Sequence, residues 1–366
     1  MTILHSANIF DNPLPQLRSR QSFFPFIAEC KDGTLIASFQ IGEAFESVDA
    51  TSFASFSTDG GKTWSVPTAI FDKSDYTRPV SDCCKPTVLP DGRLIAFGYA
   101  YYRDNPDFPL GNPETGGLLD DFIFYMISED NGKTWSKPVE VECAWGPHVE
   151  ASAPITVLKN GSWVSPITGF PAWDGSATGP MCGRLMRSDD NGKTWSDDAI
   201  CMEFDEAVTC YEQRVCELES GTLINIGWNE NTVTGDRMQN HYTVSYDGGK
   251  TWSKPIPTGI LGQASSVCAI GGERLLALHA VRRDTDRPGI YACVVDFSDK
   301  TWNIVEKELI WEPNMPMIKD TKMAEIFSFL KFGQPGAILL SDGDVMMSHW
   351  CAENGTYKTV ATRIKL

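Results

Sequence analysis

One octapeptide recurs four times in this chain. Ser57-Thr58-Asp59-Gly60-Gly61-Lys62-Thr63-Trp64 is repeated at residues 128–135, 188–195 and 245–252, each time reading Ser-x-Asp-x-Gly-Lys-Thr-Trp. A worn fifth copy is Phe297-Ser298-Asp299-Lys300-Thr301-Trp302. Successive tryptophans are 71, 60, 57 and 50 residues apart. The octapeptide has the chemistry of a turn. The Asp side chain accepts backbone N–H bonds from the residues that follow it. A Gly supplies positive φ. The Trp anchors a short hairpin with a large apolar ring. Four near-identical copies mean that these acids hold turns and do not perform catalysis.

A second repeat lies between the copies: an apolar strand, a Gly-centred turn and another apolar strand. Its glycines are Gly33, Gly92, Gly161, Gly221, Gly272 and Gly343. Six such hairpins in 366 residues leave about 61 residues per unit. Units of that size hold four short strands, so the spacing predicts an all-β chain, a six-bladed β-propeller of four-stranded blades spanning residues 1–366 as one domain. The last unit is short of one strand after Gly343. Residues 3–10 are expected to supply it, closing the ring and hiding its sheet edges. The 11 Trp, 10 Tyr and 19 Phe, with 31 Gly and 22 Pro, fit short strands and tight turns.

The net charge of −17 argues against a non-specific binder of nucleic acid. No apolar run is long enough to span a membrane, and no basic region with an apolar core and cleavage site opens the chain. The 11 cysteines are odd in number, with Cys83 and Cys84 adjacent, which reads as buried reduced thiols in a cytoplasmic protein. No His-x-x-His or His-Glu-x-x-His spacing occurs, so neither a metal nor a cofactor is expected.

The Ser-x-Asp-x-Gly-x-Thr-Trp turns resemble the Asp-boxes of the sialidase (neuraminidase) superfamily. In that family they join the two outer strands of a blade, away from the active site. The resemblance implies a glycoside hydrolase with an arginine triad for the substrate carboxylate, a Tyr nucleophile paired with a Glu, and an Asp acid/base. Glu212, nine residues before Gly221, matches the Glu. Asp49, on the loop after the first inner hairpin, matches the acid/base, with Glu43 as its rival. Arg287 matches the third arginine best, with Arg282 and Arg283 nearby. The family's first arginine directly precedes an Ile-Pro; this chain has Phe23-Phe24-Pro25 there, with Arg18 and Arg20 displaced. The tyrosine is missing from Phe332-Gly333-Gln334-Pro335-Gly336, where the family places it.

Repeat equivalence selects further residues, because homologous positions in a propeller face the same end. Starts of the inner hairpins give Asp82, Lys85, Ser152, Glu212, Arg214, Gln263 and Gln334. Their ends give Glu43, Arg103, Trp173, Asp174, Trp228, Glu230, Arg283, His349 and Trp350. Ordinary core positions would be apolar, so this set predicts a polar funnel. Trp173 and Trp228 suit the C–H face of a sugar. Lys85, Arg103, Arg214 and Arg283 or Arg287 suit an anion. Asp49, Glu212 and Glu230 can supply acid and base. The expected activity is exo-hydrolysis of an anionic or deoxy-sugar glycoside. The expected partner is a small-molecule or oligosaccharide substrate, with a homo-oligomer open. A non-catalytic carbohydrate-binding propeller and a protein-interaction propeller stand as the other readings.

Overall fold

The computed structural model describes residues 1–176, 181–314 and 330–366. Among these there is no helix. Strand β1 (Thr2–Phe10) is followed by six sheets in order around a ring. Blade 1 is β2 (Gln21–Glu29), β3 (Leu35–Gly42), β4 (Thr51–Ser57) and β5 (Thr68–Ala69). Blade 2 is β6 (Val80–Val88), β7 (Leu94–Tyr102), β8 (Asp121–Ser128) and β9 (Val139–Val141). In blade 3 the innermost strand is broken into β10 (Val149–Glu150) and β11 (Thr156–Val157), both paired to β12 (Trp163–Gly169); β13 (Gly183–Ser188) and β14 (Ser196–Met202) complete it. Blade 4 is β15 (Tyr211–Glu217), β16 (Leu223–Trp228), β17 (His241–Ser245) and β18 (Ile256–Pro257). Blade 5 is β19 (Ser265–Ala269), β20 (Arg274–Val281), β21 (Gly289–Asp296) and β22 (Asn303–Trp311). Blade 6 is β23 (Phe332–Leu339), β24 (Val345–Glu353) and β25 (Thr356–Lys365), finished by β1.

The ring closes as the repeat count requires. Strand β1 pairs antiparallel with β25, from Thr2 opposite Lys365 to Phe10 opposite Thr359. The six hairpin glycines all take positive φ, between 59° and 97°, and turn the chain at one end of the ring. Each Asp-box joins the third and fourth strands of its blade, on the rim. In the second box Asp130 Oδ1 accepts from the Ser128 hydroxyl at 2.9 Å and Thr134 N at 2.8 Å, while Oδ2 accepts from the Thr134 hydroxyl at 2.6 Å. The Trp135 indole donates to Gly132 O at 3.0 Å. Boxes three and four repeat these bonds. The fifth copy keeps only the shorter loop from Asp299 to Thr301, with Lys300 at positive φ where the others have Gly or Asn after the Asp.

Packing lies between blades. Leu276, Leu278, Ile290 and Val294 of blade 5 are buried against Phe332, Val345, Met347 and Val360 of blade 6. Ala28, Ile36 and Ala54 of blade 1 meet Cys84, Leu94 and Phe124 of blade 2 in the same way. Each large side chain so buried contributes roughly 1.5–3 kcal/mol. The innermost strands surround an axial cavity of 540 Å³ near the glycine-turn end, which Arg214 reaches from above. All 11 cysteines are free thiols, and ten are buried.

Candidate active site

At the end opposite the glycine turns, three inner strands carry a bulge at the same place. The irregularities fall between Phe23 and Phe26 of β2, Tyr211 and Arg214 of β15, and Gly333 and Gly336 of β23. In each bulge a non-glycine residue takes positive φ: Phe24 at 54°, Glu212 at 49° and Gln334 at 41°. Such backbone costs about 1–3 kcal/mol per residue and concentrates at functional sites. The three bulges meet at Lys85 of β6. Its ammonium donates to Phe24 O at 3.1 Å and to Gln334 Oε1 at 3.0 Å. Gln334 Nε2 in turn donates to Glu212 Oε1 at 2.7 Å. Lys85 is 2% exposed, and burial lowers its amine to about 8.

A second carboxylate faces the first. Glu150, at the end of β10, accepts the backbone N–H of Glu212 on Oε2 at 3.0 Å. Its Oε1 takes the Ser152 hydroxyl, and Ser152 Oγ accepts from Arg214 Nη1 at 3.1 Å. Burial, and then repulsion from Glu212, push the Glu150 carboxyl up to about 6. Three buried atoms here have no hydrogen-bond partner among the described residues: Glu212 Oε2, Arg214 Nε and Arg282 Nη1. Arg282 donates its Nε to Phe332 O at 2.7 Å, and its backbone N–H is held by Gln263 Oε1 at 2.8 Å. Burial lowers its guanidinium to about 10, against the pull of Glu212 and Glu230. Tyr99 and Tyr101 of β7 lie edge to face at 5.3 Å. Burial raises both phenols well above their ordinary range, and the Glu150 carboxylate adds to it.

Beside this pair lies a closed ionic unit. Arg283 Nη2 is paired with Glu230 Oε1, both buried, and the Trp228 indole donates to the same oxygen at 3.1 Å. Tyr211 packs edge-on to Trp228 at 5.3 Å and stacks on Phe170 at 5.5 Å.

Of the residues expected from sequence, Glu212, Lys85, Arg214 and Gln334 come together in one hydrogen-bonded group. Glu230, Arg283 and Trp228 form the neighbouring unit. The others sit elsewhere. Asp49 is exposed and accepts the backbone N–H of Glu43 at 3.0 Å, so it shapes its own loop; Glu43 is exposed too. The loop's more buried acid is Glu46, which accepts Leu110 N at 2.8 Å and is raised by burial against the pull of Arg103. Arg103 is itself buried, donating to Phe108 O at 3.0 Å and Ser81 Oγ at 3.3 Å. Arg20 lies over the rings of Phe10 and Phe53, in the outer strands. Arg287 is exposed and paired with Glu312 at 3.1 Å. Trp173 stacks on Phe108 at 5.1 Å, joining the upper loops of blades 2 and 3. His349 is fully buried against Trp311 at 4.9 Å, between blades 5 and 6. Asp82 turns to blade 1, accepting Ser52 N at 2.9 Å, because it faces opposite to Cys83 on the same strand.

The place of the first family arginine is filled by Phe23. Its ring is fully buried among Phe45 at 4.9 Å, Tyr357 at 5.0 Å and Trp350 at 5.7 Å. Sequence reasoning passed over Glu150, although the repeat rule chose Ser152, two residues on and on the same face.

A six-bladed ring with rim Asp-boxes and paired acids among buried cations defines the class of sialidase-like propellers. The BNR repeat-like domain family matches residues 108–309, more than half of the chain, and the BNR/Asp-box repeat matches residues 55–66. The chain belongs to this BNR repeat-like family, within the sialidase superfamily. A sialidase of Paraclostridium sordellii is 28% identical over 318 residues, covering 77% of this chain and 72% of that protein. Among solved structures, a Dyadobacter fermentans protein of unknown function superposes with a TM-score of 0.76 at 18% identity, covering 100% of this chain and 99% of that one. The intramolecular trans-sialidase of Ruminococcus gnavus, solved with oseltamivir carboxylate, gives 0.63 at 14%, covering 98% and 97%. Trypanosoma rangeli sialidase with the inhibitor DANA gives 0.61 at 17%, covering 94% of this chain and 55% of that one. These structural likenesses concern the fold.

Proposed function

We propose that this protein is an exo-glycoside hydrolase acting on an anionic glycoside, with Glu150 as proton donor and Glu212 as the ionised partner. The observation that carries the reading is a repelling pair of acids in unlike surroundings, the Glu150 carboxyl on the Glu212 backbone N–H and the Glu212 carboxyl on Gln334. Lys85 can only donate, so it fixes Gln334 with Oε1 toward itself and the amide N–H toward Glu212. Glu212 Oε1 is thereby bound as an acceptor. Glu150, pushed up to about 6, is the member that keeps a proton into the mildly acidic range.

In the proposed reaction Glu150 gives its proton to the glycosidic oxygen as the C–O bond breaks, and the bonding pair leaves with that oxygen. Glu212 stabilises the positive charge that develops at the anomeric carbon and accepts a proton from the attacking water. The unpartnered N–H groups of Arg214 and Arg282 suit an anionic substituent of the substrate. On this reading the anion lies toward blades 4 and 5, because Phe23 stands where the family has an arginine on blade 1. The sialidase from P. sordellii supports the reaction class.

The test is a panel of aryl sialosides, uronides and rhamnosides, run with wild type, Glu150→Gln and Glu212→Gln. Wild type should release the aryl group from at least one anionic glycoside, and each variant should lose about 100- to 10,000-fold in kcat. Activity should fall as pH rises through about 6, where Glu150 loses its proton. Wild-type inertness across the panel, or wild-type rates in both variants, would overturn the assignment.

A further inference from the structure

Glu150 stands on an unusually short support. Strand β10 contains only Val149 and Glu150, paired to Gly169 and Thr168 of β12, and the inner strand breaks immediately afterwards. The residue before it, His148, has φ of 82°, a conformation that a side chain with a β-carbon does not favour. Within the blade the His148 carbonyl accepts Phe170 N at 2.8 Å. The N–H groups of His148 and Val149 turn instead to Asp121, the first residue of β8 in blade 2. Its Oδ1 accepts the N–H of His148 at 3.0 Å and its Oδ2 accepts the N–H of Val149 at 2.9 Å. The carboxylate is 4% exposed, and both of its oxygens are occupied by the two peptides that lead into Glu150.

We propose that Asp121 is a positioning residue that clamps the His148 and Val149 peptides from the neighbouring blade and so holds the Glu150 carboxyl against the backbone N–H of Glu212. The proposal rests on the reading of Glu150 as proton donor, but the clamp itself does not. An amide at position 121 keeps the shape of the side chain and replaces one acceptor by a donor, which would face a peptide N–H. A glutamate keeps the charge and moves it by one methylene. Either change lets β10 shift, exposing Glu150 to water and relieving its repulsion with Glu212. Other ionisable groups that face this cluster are Asp120 on β8's approach, Tyr99 and Tyr101 on β7, Arg214 on β15, and Tyr211 beside Glu212. None of these is altered by the substitutions.

The experiment measures the titration of the Glu150 carboxyl by carbon-13 NMR in full-length protein labelled at Glu, assigned with Glu150→Gln. In both Asp121→Asn and Asp121→Glu the Glu150 midpoint should move down toward the ordinary carboxylate range. On the aryl glycoside that wild type cleaves, kcat should fall about 10- to 100-fold with KM little changed, and the loss of activity on the alkaline side should start at lower pH. An unmoved Glu150 midpoint in both variants would overturn the proposal; so would movement in Asp121→Asn alone, which would mark a simple effect of charge. Should the variants fail to fold, hydrogen exchange in wild type decides. The His148 and Val149 amides should be protected like those of β12, and free exchange of both would sink the clamp. Wild-type inertness toward every glycoside would refute the proposed reaction, while the titration and exchange results would still judge Asp121.

Discussion

His349 offers a sharp test of how the blades pack. Its ring is fully buried between blades 5 and 6, and neither nitrogen has a partner among the described residues. Burial, with a smaller contribution from Lys358, lowers its pKa from 6.5 to about 3. The folded value lies below the unfolded one, so between these limits the unfolded chain binds more protons. Stability is therefore intact above about pH 6.5 and is lost as pH falls toward 3. Integrated from pH 7.5 to pH 5, this one ring costs about 2 kcal/mol. His349→Met fills a similar volume, cannot titrate and keeps a favourable contact with Trp311. At pH 7.5 the variant should lie within about 1 kcal/mol of wild type. At pH 5 it should have gained about 2 kcal/mol relative to wild type. The assay is urea denaturation of both proteins at both pH values. Taking the double difference cancels the contributions of His279, Asp82, Asp121 and Glu150, which titrate in both proteins. A double difference below about 0.5 kcal/mol would refute the account of His349 as a neutral buried ring.

Three further outcomes follow from the same reasoning. Arg283→Met should destabilise the fold by about 3–5 kcal/mol in urea titration, because Glu230 is left buried without its cation, and adding Glu230→Gln should recover part of that loss. Phe23→Arg, which restores the residue type of the family's first arginine, should lower stability by several kcal/mol and raise no sialoside cleavage above wild type, since the guanidinium would be buried among aromatic rings. Asp190→Ala should lower the melting temperature while leaving glycosidase rates within about twofold, because Asp190 closes a rim turn through Thr194. Those turn bonds hold its carboxyl at about 2, so wild type should lose this contribution only as pH falls toward that value.

The fold was legible because its unit is local. Asp, Gly and Trp at fixed offsets build a turn whatever surrounds it, and counting hairpin glycines was enough to number the blades and to assign β1 to the last of them. The site was legible where strand position determines facing. Glu212 and Gln334 share one bulge position in different blades, and Lys85 reaches Gln334, and through it Glu212, from a regular strand. The same rule placed Asp82 and His349 in the funnel wrongly. Neighbouring residues on a strand point to opposite faces, and a bulge shifts that alternation by one. Loops obeyed no such rule. The 43–50 segment carries three acids, and only packing against Arg103 and Leu110 distinguishes Glu46 from Asp49. Glu150 was hidden for another reason: its strand is two residues long, and the Asp121 contacts that hold it come from another blade.

The pairing of β1 with β25 also sets an order of events. Strand β1 has no partner until β25 has been made, so residues 2–10 wait unpaired while five blades can already assemble. During that interval both partners present open strand edges. The last contact formed has nearly the largest sequence separation the chain allows, which makes it the slowest to find and the easiest for a second copy to intercept. Ring closure is thus the step at which this fold is most exposed to strand exchange between molecules.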